Sequence, residues 1–274
     1  PMTAPIGGFD SGVGGLSVMR EIARRLPQEA LLYVADSGHA PYGDKPAAFV
    51  RERSLLISRF LVDQGAKAIV VACNTATGIA VEALRATFTV PIIAIEPAVK
   101  PAATRTQSGR VAVLATTRTL ETERYMALVR RHAQGVDVRP QPCPGLVEQV
   151  EAGDLDGAAT RALVERYVRP LLDDGVDTLV LGCTHYSFLR AVITQVAGPD
   201  VAVIDPSPAV AAEVERRLGA VDLLRRAGVP GDGDRTSGEM RICSTGDAGH
   251  AAAMVSRLWT GRASVEPAAD AGLA

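Results

Sequence analysis

Short apolar segments alternate with longer segments of helical periodicity over most of the chain. The apolar segments are continuously hydrophobic, which is typical of parallel strands covered by helices on both faces. They predict strands over residues 6–9, 31–35, 68–72, 92–95, 111–114, 136–138, 178–181, 201–204 and 240–243. The helical periodicity predicts helices over residues 16–26, 47–64, 75–88, 98–110, 119–132, 158–173, 187–196, 209–218 and 248–258. This order predicts an α/β protein with mainly parallel sheets and right-handed crossovers.

The second half of the chain resembles the first. The sequence AIVVACNTA at residues 68–76 corresponds to TLVLGCTHY at residues 178–186, an offset of 110 residues. The first strands of the two halves begin at Ile6 and Val111, an offset of 105 residues. We therefore expect two pseudo-symmetric three-layer α/β domains of the same topology, with the active site in the cleft between them.

The composition excludes several classes of protein. The 274 residues are 47% hydrophobic, and the 29 Lys and Arg against 31 Asp and Glu give a formal net charge of −2. A near-neutral chain of this kind argues against a general nucleic-acid or membrane-surface binder. No apolar run approaches the roughly 20 residues of a membrane-spanning helix, and no signal segment is recognisable at the N-terminus. We therefore expect a cytoplasmic protein with no membrane contact and no direct nucleic-acid binding.

The chain has four cysteines, and two of them occupy matching positions. Cys143 and Cys243 are interpreted as inert buried thiols, and the absence of a C-x-x-C pair makes a structural zinc site improbable. Cys73 and Cys183 each follow a predicted strand and precede a predicted helix. Ligands of open α/β sheets bind outside the carboxyl ends of the strands, and a helix N-terminus lowers a cysteine pKa. We therefore expect both thiols to approach one ligand from opposite sides.

Polar residues accompany each thiol. Asn74 and Thr75 follow Cys73, and Thr184 and His185 follow Cys183, so each thiol has neighbouring donors suited to a carboxylate. Asp10 with Ser11 on one side and His185 on the other are candidates to orient or deprotonate a thiol. Glu151 by itself is interpreted as a solvated carboxylate. The remaining histidines are interpreted as structural and not catalytic residues: His39, His132 and His250.

Two other functions remain open from these residues. Gly12, Gly14 and Gly15 after the first strand, with Asp36 ending the second, resemble a dinucleotide-binding turn and its ribose-binding carboxylate. The third glycine of that pattern is replaced by Ser17, so a nicotinamide-dependent oxidoreductase is only an alternative. A two-lobed binding module for a small dicarboxylate would account for the fold and the donors, but not for the paired thiols.

Four motifs resemble those of the glutamate racemase family, within the aspartate/glutamate racemase superfamily. They are GFDSGVGG at residues 8–15, APYG at 40–43, ACNTA at 72–76 and GCTHY at 182–186. The resemblance extends from Ile6 to about Trp259, and the Gly-, Pro- and Arg-rich segment over 225–238, which we expect to form a loop, matches no motif of the family. It implies a cofactor-independent isomerase that interconverts L- and D-glutamate and supplies D-glutamate for peptidoglycan. A racemase of another amino acid, such as aspartate, is the alternative within the superfamily.

The resemblance also assigns residues. It implies that Cys73 deprotonates D-glutamate with the help of Asp10, and that Cys183 deprotonates L-glutamate with the help of His185 and Glu151, for which Glu148 is the alternative. It implies substrate binding by Ser11, Pro41, Tyr42, Gly43, Asn74, Thr75, Thr117 and Thr184. It further implies a homodimer, and leaves open an activating cell-wall precursor or binding to DNA gyrase. We expect a first domain of residues 1–97 plus 208–264, a second domain of residues 98–207, and a disordered tail over 265–274.

Overall fold

The computed structural model describes residues 4–225, 239–268 and 273, and the expected loop over 225–238 lies outside these residues except for Arg225. The strands are β1 (Ile6–Asp10), β2 (Leu31–Ala35), β3 (Ala68–Val71), β4 (Ile92–Ala94), β5 (Arg110–Ala115), β6 (Asp137–Pro142), β7 (Thr178–Leu181), β8 (Ala202–Ile204), β9 (Met240–Ser244) and β10 (Ala263–Pro267). Each of the predicted strands is present, with its ends shifted by a few residues at most.

The α-helices alternate with these strands. They are α1 (Leu16–Arg25), α2 (Ala47–Asp63), α3 (Asn74–Thr87), α4 (Val99–Arg105), α5 (Thr117–Leu120), α6 (Glu123–His132), α7 (Leu146–Glu151), α8 (Ala158–Asp173), α9 (Arg190–Ala197), α10 (Ser207–Ala220) and α11 (Ala248–Leu258). Short 3₁₀ helices are formed by Ser37–His39, Tyr42–Asp44 and Thr184–Leu189. None of the helices in the described residues is long and apolar enough to cross a membrane.

The strands form two parallel sheets with the same central topology. The first sheet has the order β10–β9–β2–β1–β3–β4, and the second has the order β6–β5–β7–β8. The segment β2–β1–β3–β4 therefore corresponds strand by strand to β6–β5–β7–β8, which confirms the shared topology inferred from the internal repeat. The α/β fold with mainly parallel sheets is likewise confirmed.

The C-terminal segment belongs to the first sheet. Strand β9 pairs with β2, and β10 pairs with β9, all in parallel register. The prediction of a disordered tail over 265–274 is wrong for residues 265–267, which complete β10. The sequence pattern does not reveal this strand, because β10 is an edge strand. Only Ala263 and Val265 pack against the core, whereas the alternate residues Ser264 and Glu266 are polar. The domain boundaries themselves stay a prediction.

The two halves share one continuous apolar cluster. Helix α1 contributes Leu16 and Ile22, and the turn of residues 184–189 contributes Tyr186 and Leu189 to the same cluster. Helix α10, to which the chain returns after β8, packs against α1. The carboxyl ends of the central strands of both sheets consequently lie at a common cleft.

Four local features differ from the sequence prediction. The helix expected over 98–110 ends at Arg105, and residue 110 begins β5 instead. The single helix expected over 119–132 is divided into α5 and α6, because Thr122 accepts a hydrogen bond from the backbone N–H of Tyr125 and begins a new helix. The helix expected over 187–196 is preceded by the 3₁₀ turn Thr184–Leu189. Helix α7, which carries Glu151, was not predicted because it is only six residues long.

Candidate active site

Both matched cysteines line one cleft between the halves. Cys73 follows β3, Cys183 follows β7, and their exposed fractions are 5% and 8%. The cleft has a volume of about 260 Å³. Residues of both halves line it, so a ligand bound in the cleft would lie next to Cys73 and Cys183 together. The expectation that the two cysteines meet at one site agrees with this geometry.

Cys73 caps helix α3 and stands beside a buried carboxylate. Its Sγ accepts a hydrogen bond from the backbone N–H of Ala76 at 3.4 Å. Burial raises the pKa of the Cys73 thiol well above its usual value, and the charge of Asp10 raises it further. The expected lowering by the helix N-terminus is therefore wrong in its net direction: the Ala76 hydrogen bond lowers the pKa, but desolvation outweighs it. Burial also raises the pKa of Asp10 itself.

Cys183 stands beside an imidazole that is paired with a carboxylate. His185 Nδ1 lies 3.8 Å from the Cys183 Sγ, and His185 Nε2 lies 2.6 Å from Glu151 Oε1. Burial by itself lowers the pKa of His185, but its hydrogen bonds to Cys183 and Glu151, together with the charge of Asp10, raise that pKa well above the usual value. A protonated His185 donates from both ring nitrogens and stabilises negative charge on the sulfur of Cys183.

Glu151 is held by groups from the first half. Its carboxylate accepts hydrogen bonds from the Val13 backbone N–H at 2.7 Å and from the Ser37 hydroxyl at 3.2 Å. Although burial opposes ionisation, the pKa of Glu151 is lowered, chiefly by the hydrogen bond to His185. Glu148 is exposed and lines a neighbouring pocket instead. Of the two carboxylates, Glu151 is the one that contacts the imidazole.

The glycine turn after β1 accommodates the second half of the chain. A Cβ at Gly12 would lie 1.9 Å from Glu151 Oε1, and a Cβ at Gly14 would lie 2.3 Å from His185 Nδ1. The space that a dinucleotide pyrophosphate would need is therefore filled by protein side chains. These glycines permit close approach of the two halves, which the sequence pattern alone could not distinguish from ligand binding.

The carboxylate of Asp36 is also occupied by hydrogen bonds to other residues of the protein. It is buried and accepts hydrogen bonds from Arg53 at 2.7 and 3.0 Å, from the Tyr42 hydroxyl at 2.5 Å and from the Thr245 hydroxyl at 2.8 Å. His39 contacts it as well, at 3.0 Å. A carboxylate with these partners has no capacity left for a ribose. The dinucleotide-binding interpretation of the turn and of Asp36 is accordingly contradicted by the structure.

Most of the predicted substrate-binding residues line the cleft. Those that do so are Ser11, Pro41, Tyr42, Gly43, Asn74, Thr75 and Thr184. The side-chain Nδ2 and Oδ1 of Asn74 are buried without a hydrogen-bond partner in the described structure, so this amide is free to bind a ligand. In contrast, the Thr184 hydroxyl donates to Asp10 Oδ2 at 2.9 Å, and the Tyr42 hydroxyl donates to Asp36.

Thr117 is the predicted residue that the structure places elsewhere. It is exposed and lines the neighbouring pocket, whereas Thr116 and Thr119 line the cleft. The hydroxyls of Thr75, Thr116 and Thr119 lie 3.0 Å from one another in a triangle that joins the halves. Because Thr116 is the N-cap of α5 and Thr119 lies one helical turn later, both face inward while Thr117 faces out. The capping pattern T-x-x-T was the signal that could have identified them.

The remaining cysteines lie outside the cleft. Burial raises the pKa of Cys143, and burial with the charge of Glu266 raises the pKa of Cys243 to about 12. Their interpretation as buried, unreactive thiols agrees with these surroundings. Within residues 4–225, 239–268 and 273, no three His, Cys, Asp or Glu side chains are grouped as a metal site.

Comparison with known proteins places the chain beside amino-acid racemases. A family model described as Asp/Glu/Hydantoin racemase matches residues 6–214. The glutamate racemase of Methylococcus capsulatus is 53% identical over 263 residues, which cover 96% of this chain and 94% of that protein. The crystal structure of the glutamate racemase isoform RacE1 from Bacillus anthracis has a TM-score of 0.86 at 31% identity, covering 97% of this chain and 98% of that one.

A second similar structure is a complex with bound small molecules. Glutamate racemase from Escherichia coli, in complex with L-glutamate and the activator UDP-MurNAc-ala, has a TM-score of 0.82 at 30% identity. The match covers 96% of this chain and 98% of the E. coli chain. Both sheets and the cleft between them therefore have counterparts in proteins named as glutamate racemases.

Proposed function

The chain belongs to the Asp/Glu/hydantoin racemase family, and we propose that it interconverts L-glutamate and D-glutamate by proton transfer at Cα. The observation that carries this proposal is the pair of thiols from equivalent strand ends of the two halves in one cleft. The Cα–H beside a carboxylate is a weak acid, so racemisation needs a base on one face of the substrate and an acid on the other. Cys73 and Cys183 supply these two groups.

The surroundings of the thiols support one choice of starting form. Burial and the charge of Asp10 favour the protonated thiol at Cys73, whereas His185 Nδ1 lies next to the sulfur of Cys183 and stabilises negative charge there. In this form the Cys183 thiolate removes the Cα proton of L-glutamate and becomes a thiol. The Cys73 thiol then donates its proton to the opposite face, which gives D-glutamate and leaves a Cys73 thiolate. The resulting form of the enzyme is the one that deprotonates D-glutamate.

The polar lining of the cleft binds the carboxylates and stabilises the charge that develops next to Cα. Asn74 opens helix α3 and has an unpartnered amide, so it is the strongest candidate donor. Ser11, Thr75 and the newly identified Thr116 and Thr119 add hydroxyls at the same cleft. Donors that are fixed before the reaction stabilise a developing charge more effectively than water, because they need not reorient.

Racemisation of aspartate is the second candidate within the family. L-Glutamate in the complex of the E. coli relative favours glutamate for this chain. We further propose that the enzyme needs no cofactor, works in the cytoplasm as a homodimer and supplies D-glutamate for peptidoglycan, as the sequence resemblance implies. Light scattering of the purified protein tests the dimer.

The decisive experiment follows the circular dichroism of L-glutamate and D-glutamate after extensive dialysis of the protein against a chelator. We expect both enantiomers to approach the racemate at full rate, and Cys73→Ala and Cys183→Ala each to abolish the reaction. Cys143→Ala serves as the matched control, because Cys143 lies outside the cleft. Activity that requires added pyridoxal phosphate, nicotinamide or metal would contradict the proposal, as would racemisation by either of the first two variants.

A further inference from the structure

The C-terminal helix α11 reaches across to the end of α7, the short helix that carries Glu151. His250 Nε2 lies 2.6 Å from the backbone carbonyl oxygen of Glu151, and Arg257 donates from Nη1 to the carbonyl oxygen of Gly153 at 2.7 Å. Helix α11 connects β9 and β10 of the first sheet, whereas α7 belongs to the second half. These two hydrogen bonds therefore join the halves at the end of α7, next to the Glu151 that contacts His185.

One acceptor, the Glu151 carbonyl, is a carbonyl that a helix leaves without a partner, and the other, the Gly153 carbonyl, lies in the turn that follows. The last carbonyls of an α-helix have no intrahelical N–H partner, and α7 ends at Glu151. His250 and Arg257 are seven residues apart, about two turns of one helix, so both lie on the same face of α11. Gly153 has a φ of +84°, and a Cβ there would lie 2.9 Å from Arg257 Nη1. The chain thus turns sharply at Gly153, and the missing side chain lets the guanidinium approach.

We propose that His250 and Arg257 are positioning residues that fix the end of α7, and with it the Glu151 carboxylate, against His185. Glu151 is the residue whose carbonyl His250 binds and whose carboxylate binds His185, so a displacement of its backbone moves both contacts. Neither His250 nor Arg257 lines the cleft. They act on Cys183 only through Glu151 and His185, and this role rests on the proposed racemase function.

The proposal predicts a reaction-rate effect that a mere packing contact would not produce. His250→Ala and Arg257→Ala should each lower kcat by roughly 10-fold, because each removes one of two hydrogen bonds at the end of α7, and a full misplacement of about 1 Å would cost about 100-fold. KM should change little, since the groups that bind the carboxylates are untouched. His250→Gln, whose amide can still donate to the Glu151 carbonyl, should restore most of kcat. Arg24→Ala, which removes only an exposed ion pair with Glu21, is the matched control.

The pH profile gives a second readout. The titratable groups that face His185 are Asp10 in β1, Cys183 after β7 and Glu151 in α7. If the Glu151 carboxylate loses its fixed position, its support for the imidazolium weakens. The limb of the kcat profile that reports His185 should then move to lower pH in His250→Ala and return in His250→Gln.

A double-mutant cycle with Glu151→Gln decides between positioning and packing. If His250 acts through Glu151, His250→Ala should cause no further loss of kcat in the Glu151→Gln background, because coupled residues are not additive. Independent, multiplicative losses would overturn the proposal, as would an unchanged kcat in folded His250→Ala and Arg257→Ala. Racemisation by the wild-type protein is measured in the same assay, so a failure of the proposed function appears there first. In that case the NMR titration of His185 in wild type and His250→Ala tests the positioning role, and an unchanged titration overturns it.

Discussion

Substituting alanine for Gly14 would test whether the position of His185 controls the reaction. The added Cβ would lie 2.3 Å from His185 Nδ1 and 2.6 Å from both Cγ and Cε1. Ordinary contacts of a Cβ begin near 3.4 Å, so the whole ring must retreat by about 1.1 Å. The ring cannot rotate out of the contact, because three of its atoms face Gly14 and it is buried against Glu151 and Cys183.

This displacement has two expected costs. A misplacement of about 1 Å in a catalytic arrangement lowers activity by about 100-fold, so we expect kcat/KM of Gly14→Ala to fall by about that factor. Overpacking of a well-filled interior costs about 1–3 kcal/mol, so the melting temperature should also decrease. The equilibrium constant between enantiomers is one, and therefore kcat/KM must fall equally in both directions, which provides an internal check on the assay.

The assay is the circular dichroism time course at saturating and limiting glutamate, with thermal unfolding measured on the same preparations. Gly219→Ala is the matched control, because Gly219 lies within α10 and, among the residues that the structure describes, its Cβ would meet only Leu224 Cδ1, at 3.4 Å. In that helix alanine should stabilise the protein by up to about 1 kcal/mol and leave activity unchanged. A folded Gly14→Ala variant with wild-type kcat/KM would refute the argument that the glycine turn serves the approach of His185.

Three further predictions follow from the same contacts. If Cys73 and Cys183 act on opposite faces as proposed, early product formed in D₂O from either enantiomer should carry deuterium at Cα, while recovered substrate stays protonated. Protium retained in early product, detected by mass spectrometry, would indicate a single base. L-Aspartate should be a poor substrate when racemisation is followed by polarimetry. Its side chain is one methylene shorter, which withdraws one carboxylate by about 1.5 Å and leaves a donor unpaired at a cost of about 1–3 kcal/mol. Equal kcat/KM for aspartate and glutamate would indicate an aspartate racemase. Arg53→Met should destabilise the fold by about 3–5 kcal/mol in chemical denaturation, because it leaves the buried carboxylate of Asp36 without its cation. The pKa of Asp36 is lowered in the fold despite burial, so the stability that its ionised form contributes is complete above the unfolded pKa of about 3.9 and is lost as the pH falls. The difference in unfolding free energy between Arg53→Met and wild type should therefore shrink in acid. A difference that does not depend on pH would exclude Asp36 as its source.

The sequence predicted the sheets well because buried parallel strands leave a continuous apolar signal. The repeat around Cys73 and Cys183 also predicted that two strand ends meet at one cleft, since both cysteines follow the same kind of strand in the same topology. Edge strand β10 could not be predicted from such a signal, because only one of its faces is apolar. Helix α7 escaped it because six residues are too few to establish a helical period.

Side-chain details of the site were less accessible. The family resemblance implies substrate binding by Thr117, whereas Thr116 and Thr119 face the cleft. Motif matching does not give the helical phase, which depends on Thr116 being the N-cap of α5. The net direction of the Cys73 pKa depends on burial by residues distant in the chain, which a local helix N-terminus does not reveal. The glycine turn was ambiguous for the same reason: glycine indicates close approach, but the approaching group, Glu151 or His185, lies more than 130 residues away in the sequence. The roles of the residues toward substrate stay predictions.

The cleft is symmetric in its backbone and asymmetric in its electrostatics. The two cysteines end equivalent strands, yet Cys73 faces the carboxylate of Asp10 whereas Cys183 faces the imidazole of His185, which Glu151 supports. In the proposed reaction, this asymmetry biases Cys73 toward the role of the acid and Cys183 toward the role of the base for L-glutamate. The opposite enzyme form, which D-glutamate requires, arises as the product of each forward turnover. Because the equilibrium constant is one, this bias cannot favour net formation of either enantiomer. The two directions can have different kcat values and different KM values, but kcat/KM is the same for L-glutamate and D-glutamate.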